Sequence, residues 1–155
     1  MMVHIAMKTI VAAIDFSNAS SGVLKMASEL AAAMHAELKL FHAVEPEPSY
    51  TVYGFSPDEF PAMQAYQREA RLRAQRQLDD MKDSIAGSVP VCCTHVTEGG
   101  ALYALLEFSR DESADLVVLG SHGHSIIAAL LLGSVAEGML RKSRIPVMMV
   151  PASPE

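Results

Sequence analysis

The chain has no tryptophan, two cysteines and few aromatics of any kind, 6% of its residues. Cys92 and Cys93 are adjacent, so in a strand they would point to opposite faces. A disulfide between neighbours would be strained, and two cysteines build no framework; they read as reduced thiols of a cytoplasmic protein. No apolar run approaches the ~20 residues of a membrane span. The opening Met1 to Met7 lacks a basic leader, so no signal peptide is expected. Positive charge is also scarce: 12 Lys and Arg against 18 Asp and Glu leave a net charge of −6, which argues against nucleic acid as a partner. The densest basic stretch, Arg68 to Arg76, is followed by Asp79 and Asp80 and reads as a solvated helix face.

What is present is a globular balance: 155 residues, 50% hydrophobic and 19% charged, expected to form one domain over 1–155. Strand and helix patterns alternate throughout. Thr9 to Ile14 is a continuous apolar run, as a strand buried on both faces requires. It ends at Asp15, and Ser17-Asn18 are caps for a helix carrying Val23, Leu24, Ala27, Leu30, Ala31 and Met34 at helical spacing. Leu38 to Val44 reads as the second strand. A proline-rich loop, Glu45-Pro61, and a helix of about 24 residues with Leu72, Leu78, Met81 and Ile85 near one face follow. Val89 to Val96 reads as the third strand, Asp115 to Leu119 as the fourth and Val147 to Val150 as the fifth. Strict alternation predicts an open parallel sheet with helices on both faces, binding ligands at the carboxyl ends of its strands. If the first and fourth strands are neighbours, Asp15 and Gly120 face one crevice.

Gly120-Ser121-His122-Gly123, with Gly133-Ser134 following after nine intervening residues, is the most informative segment. It is a glycine-punctuated loop leaving the fourth strand and ending at a helix start. Ser134-Val135-Ala136-Glu137 has the spacing of a capping box, with Ser134 at the N-cap. Helix N-termini offer unpaired amides and partial positive charge, which suits phosphate.

These residues resemble the universal stress protein family from Met7 to Val150. Met7 to Ser17 looks like the family's first strand and its acidic end, Phe41 to Val44 like its second strand, and Ile145 to Val150 like its last. Gly120-x2-Gly123-x9-Gly133-Ser134 fits the signature of the ATP-binding branch. Residues 1–6 would then be an N-terminal extension. The resemblance implies a Rossmann-like, adenine nucleotide alpha hydrolase-like fold with strand order 3-2-1-4-5, and a homodimer through the last strand, Val147 to Val150. It also implies ATP or AMP as ligand, with Mg possible alongside the nucleotide. Asp15 would lie near the ribose and the metal-phosphate region, the Ala43 backbone would read the adenine edge, and Gly120 would sit beside the ribose. Gly123, Gly133, Ser134 and the Val135 amide would hold phosphates. Where the family often has Arg or Lys after the second glycine, this chain has His124. Ile126 and Ala129 depart from the family as well.

No other constellation carries chemistry as directly. His122 and His124 lack the companions of a tetrahedral metal site, so no metal held by protein side chains alone is expected. His42 reads as a hydrogen-bonded framework residue. Tyr50, Tyr53, Phe55 and Phe60 in or beside Glu45-Pro61 suit either packing or contact with an unknown protein partner. The loop has no Walker-type Lys and no group to activate an acceptor, so no catalytic residue is assigned. The expected function is a dimeric, nucleotide-dependent regulator of the stress response. The alternatives are a slow ATPase or autophosphorylating enzyme and a dimerisation module without nucleotide.

Overall fold

The computed structural model describes residues 7–46, 61–122 and 132–152. Its elements run in the order β1 (Thr9–Ala13), α1 (Ser20–Met34), β2 (Glu37–Val44), α2 (Pro61–Ser84), β3 (Val91–Glu98), α3 (Ala101–Asp111), β4 (Leu116–Gly120), α4 (Ser134–Lys142) and β5 (Val147–Val150). The strands form one parallel sheet of order β3-β2-β1-β4-β5, the order the resemblance implied. The chain builds outward from β1 to β3, then returns to place β4 on the other side of β1. The order therefore reverses between β1 and β4, where two neighbouring strands send their chains to different sides and leave a crevice.

The apolar run of β1 feeds two cores. Ile10 and Ala12 join Leu38, Leu40 and Val118 under α1 and α2, which contribute Val23, Ala27, Ala31, Ala74 and Leu78. Val11 points the other way, joining Phe41, Val117 and Leu119 under α3 and α4, which contribute Leu105, Ala136 and Met139. Each fully buried Leu or Ile stabilises the fold by roughly 1.5–3 kcal/mol before entropy is counted. Gly138 lets α4 lie close on α3, because a Cβ there would collide with the Leu102 side chain.

Several boundaries differ from the sequence expectation. β3 starts at Val91, two residues late, because Ala86 and Ser88 donate back to Asp83 and Ile85 and hold the chain in turns up to Pro90. Asp115 precedes β4 and clasps its neighbour: Oδ2 accepts the amides of Lys8 at 2.7 Å and Thr9 at 2.9 Å. Leu72 is 52% exposed and faces no core, since α2 has no buried side chain before Ala74. Ser17 and Asn18 do not cap α1; Ala19 holds that position, and the preceding turn is organised by Asp15.

The amino end of the sheet is closed by charge pairing. Lys39 lies 2.8 Å from Glu112 and 3.2 Å from Glu37, and the Glu112 contact leads in raising its pKa above 10.5. Both cysteines are free thiols. Cys92 packs against the core under α1 and α2, and Cys93 approaches Glu37 at 3.7 Å. Burial, with the adjoining Cys93, pushes the Cys92 thiol up to about 11. Among the described residues, no helix is long and apolar enough to cross a membrane.

Candidate nucleotide cleft

β1 ends in a tight turn built by one carboxylate. Asp15 Oδ1 accepts the Ser17 amide at 2.9 Å and the Ser20 hydroxyl at 3.1 Å. Phe16 between them adopts a left-handed backbone, φ 60°, uncommon for an aromatic and held here by its surroundings. Its ring lies 4.5 Å from that of His42, whose Nδ1 is 2.6 Å from the Ile14 carbonyl. A carbonyl only accepts, so His42 carries its proton on Nδ1 and ties β2 to the end of β1, the framework role expected of it.

β4 ends at Gly120, where a Cβ would press on the Ala19 Cβ at 3.1 Å and the His122 carbonyl at 3.3 Å. The start of α1 thus sits close against the end of β4 because position 120 has no side chain. Ser121 then makes two backbone bonds. Its amide donates to the Val150 carbonyl at 2.9 Å, and its carbonyl accepts the Gly133 amide at 2.8 Å. This pins the start of α4 to the exit of β4.

The capping-box expectation is corrected here. Gly133, with φ −61° and ψ 154°, is the N-cap of α4, and its carbonyl accepts the Glu137 amide at 2.9 Å. Ser134 is the first helical residue and exposed, and the Glu137 carboxylate pairs forward with Arg141 at 2.8 Å. The Ser121 bond fixes Gly133 in the extended conformation of an N-cap, moving the helix start back one position from the one the letters suggest. The hydroxyl of Ser134 is therefore not consumed by the cap. The amides of Ser134, Val135 and Ala136 have no hydrogen-bond partner among the described residues, as the first turn of a helix dictates.

These pieces meet in one cleft of about 620 Å³, partly open to solvent. Asp15, Ala43, Gly120, Gly133, Ser134 and Val135 all line it, so six of the seven residues singled out from sequence come together. The seventh, Gly123, lies outside the described residues, as do His124, Ile126, Ala129, residues 1–6 and most of the Glu45-Pro61 loop. The sequence reading missed the wall made by Phe41, Ala101 and Leu105. Its signal was Gly99-Gly100: a helix starting directly after β3 must open at the same end of the sheet. Gly99, at φ 132°, makes that turn, and Glu45 accepts the Ala101 amide at 2.9 Å.

One side of the cleft is thus apolar, and the other is polar backbone. Asp15 is its one charged lining residue among those described. No group of three His, Cys, Asp or Glu side chains gathers as a ligand set among the described residues.

Comparison with known proteins agrees with this architecture. A model of the universal stress protein family matches residues 7–151. Universal stress protein A homolog 1 of Coxiella burnetii is 33% identical over 146 residues, covering 92% of this chain and 95% of that protein. Among solved structures, UspA from Lactobacillus plantarum superposes with a TM-score of 0.81 at 18% identity, over 92% of this chain and 97% of that one, a likeness of fold. A universal stress protein crystallised in complex with cAMP has a TM-score of 0.65 and 28% identity, over 96% of this chain and 99% of that one.

Proposed function

Because the chain belongs to the universal stress protein family, we propose that it binds an adenine nucleotide, ATP or AMP, in the cleft where β1 and β4 end, and acts as a dimeric regulator of the stress response in the cytoplasm. The observation that carries this reading is that the unanswered amides of α4 open onto the same cleft as Asp15 and the apolar wall. The amides of Ser134 and Val135, with the Ser134 hydroxyl and the glycines at positions 133 and 123, receive phosphate. The ribose lies between Gly120 and Asp15. The base enters against Leu105 and Phe41, its edge read by the Ala43 backbone. The cAMP complex of a similar protein supports the adenine class.

Mg fits as a companion of the phosphates: Asp15 is the one lining carboxylate among the described residues, so the nucleotide itself would supply most of the oxygens. Phosphoryl transfer needs neutralising cations and a group to orient the nucleophile. The described lining offers no Lys or Arg, which favours a binder with at most slow hydrolysis.

The dimer forms through β5, an edge strand of the sheet. Pro146 and Val150 direct their carbonyls to β4, so by alternation Val147 and Met149 direct their backbone groups outward. Met148 and Met149 pack against the two opposite cores, so pairing of this edge rests on backbone bonds. Met149→Pro removes an outward amide and should give a folded monomer by light scattering.

The decisive experiment is mass spectrometry of ligand released from the denatured protein, with calorimetric titration of ATP, AMP and cAMP. Recovery or saturable binding of an adenine nucleotide is expected. Absence of both would sink the reading.

A further inference from the structure

A second concavity lies at the other ends of the two helices that form the cleft, and shares no lining residue with it. It spans about 1300 Å³ of space, much of it open to solvent. Leu106, Ala114 and Ile145 give it an apolar lining. Three cations, Arg110, Lys142 and Arg144, stand against one carboxylate, Glu107, in a chain whose net charge is −6. Arg110 is answered by Asp111 at 2.9 Å and by Glu107 at 3.9 Å. Lys142 and Arg144 have no carboxylate within 4 Å among the described residues. Lys142 instead donates to the Tyr103 hydroxyl at 3.0 Å, its ammonium 4.9 Å from the ring centroid.

Cations in the last turn of a helix stabilise its carbonyl end, and that accounts for Arg110 and Lys142. It does not account for Arg144, which lies beyond α4. Nor does it explain why Tyr103 stays 66% exposed over an apolar groove. Ser109 is unexplained too: it lines the groove, is 1% exposed, and its Oγ has no hydrogen-bond partner.

We propose that this groove docks an acidic segment of a partner protein, an apolar side chain flanked by carboxylates. The apolar side chain lies along Leu106 and Ile145, under the Tyr103 ring. The carboxylates meet Lys142 and Arg144. Tyr and Arg beside an apolar centre are the residue types that concentrate binding energy at protein interfaces. The proposal goes beyond nucleotide binding and does not rest on it, although α4 joins the two sites over about 13 Å.

The test selects random nine-residue peptides displayed on phage against the full-length chain and maps the best binder by nitrogen-proton NMR. Enrichment of acidic-apolar peptides is expected, with shifts centred on Tyr103, Leu106, Arg144 and Ile145. Affinity should fall at least about tenfold in the double variant Lys142→Glu, Arg144→Glu, equivalent to about 1.4 kcal/mol. Both side chains are exposed, so that variant keeps its fold, which circular dichroism checks. Tyr103→Ala should weaken the same peptides without changing charge. The proposal is overturned if no peptide is enriched, if enriched peptides bind the charge-reversed variant equally well, or if shifts fall in the nucleotide cleft. Displacement by low-millimolar inorganic phosphate would also overturn it, in favour of a small-anion site.

Discussion

Asp15 and Asp115 sit at opposite ends of the same sheet, and each accepts two hydrogen bonds through a single carboxylate oxygen. Asp115 takes both from amides more than a hundred residues away, at the entry to β1. Asp15 takes both from within its own turn. The amino end around Asp115 is closed, with Lys39 filled in between Glu37 and Glu112. The carboxyl end around Asp15 leaves the first amides of α4 without partners among the described residues and has one apolar wall. The two ends thus divide the work: one satisfies its polar groups internally and holds the sheet together, while the other keeps polar groups available for something else.

The largest test of that division is Asp115→Ala. Loss of two amide bonds to a carboxylate should cost about 3 kcal/mol in chemical denaturation and leave ATP affinity of the folded protein unchanged. Lost binding with unchanged stability would reverse the assignment of the two ends.

Alkaline pH probes the closed end next. The folded-state pKa of Cys92 is raised from 9.0 to about 11, so the unfolded chain releases its proton first. Stability is then fully present below pH 9 and falls as pH rises toward 11, by about 2 kcal/mol once an upper bound of about 2.7 kcal/mol is reduced for water reaching the half-buried thiol. Lys39 adds a loss of the same sign above 10.5. Denaturation curves at pH 8 and pH 11 should differ less in Cys92→Ala than in the parent protein. Equal differences would mean that the thiol is not the source.

At the open end, Gly133→Val should weaken ATP by at least about tenfold, or about 1.4 kcal/mol. Its φ of −61° suits a side chain, so strain is not the cause. The poorer N-cap should cost about 1 kcal/mol of stability. Unchanged affinity in calorimetry would separate α4 from the phosphates. The smallest effect concerns sign. Asp15→Asn should weaken Mg-ATP and strengthen metal-free ATP, each by about 0.5 kcal/mol, because the carboxylate attracts the cation and repels bare phosphate. The same direction in both titrations would place Asp15 away from the phosphates.

Most of this division was legible in the letters. Apolar runs marked strands buried on both faces, and Asp15 and Gly120 at strand ends marked the crevice. The failures were three-dimensional. Ser134 and Glu137 carry the spacing of a capping box, but the Ser121 bond to Gly133 decides where α4 begins. Leu72 stands six residues before Leu78, about 120° away around the helix, so grouping the leucines near one face overlooked that offset. Asp115 looked like a strand residue because its partners at Lys8 and Thr9 are remote in sequence. The groove at the far ends of α3 and α4 was invisible for the same reason, since Tyr103 and Arg144 come together only through helix packing.

The two backbone bonds of Ser121 also bear on how such a protein diversifies. With Gly133 fastened to the exit of β4, residues 122–132 form a segment whose two ends are held in place by the scaffold. Lengthening a segment with fixed ends costs only about 0.6 kcal/mol for each doubling. Sequence and length can therefore drift between those ends while sheet and helix stay put. A lineage carrying this clasp can change the stretch between positions 122 and 132 without having to re-evolve the sheet and helix that flank it.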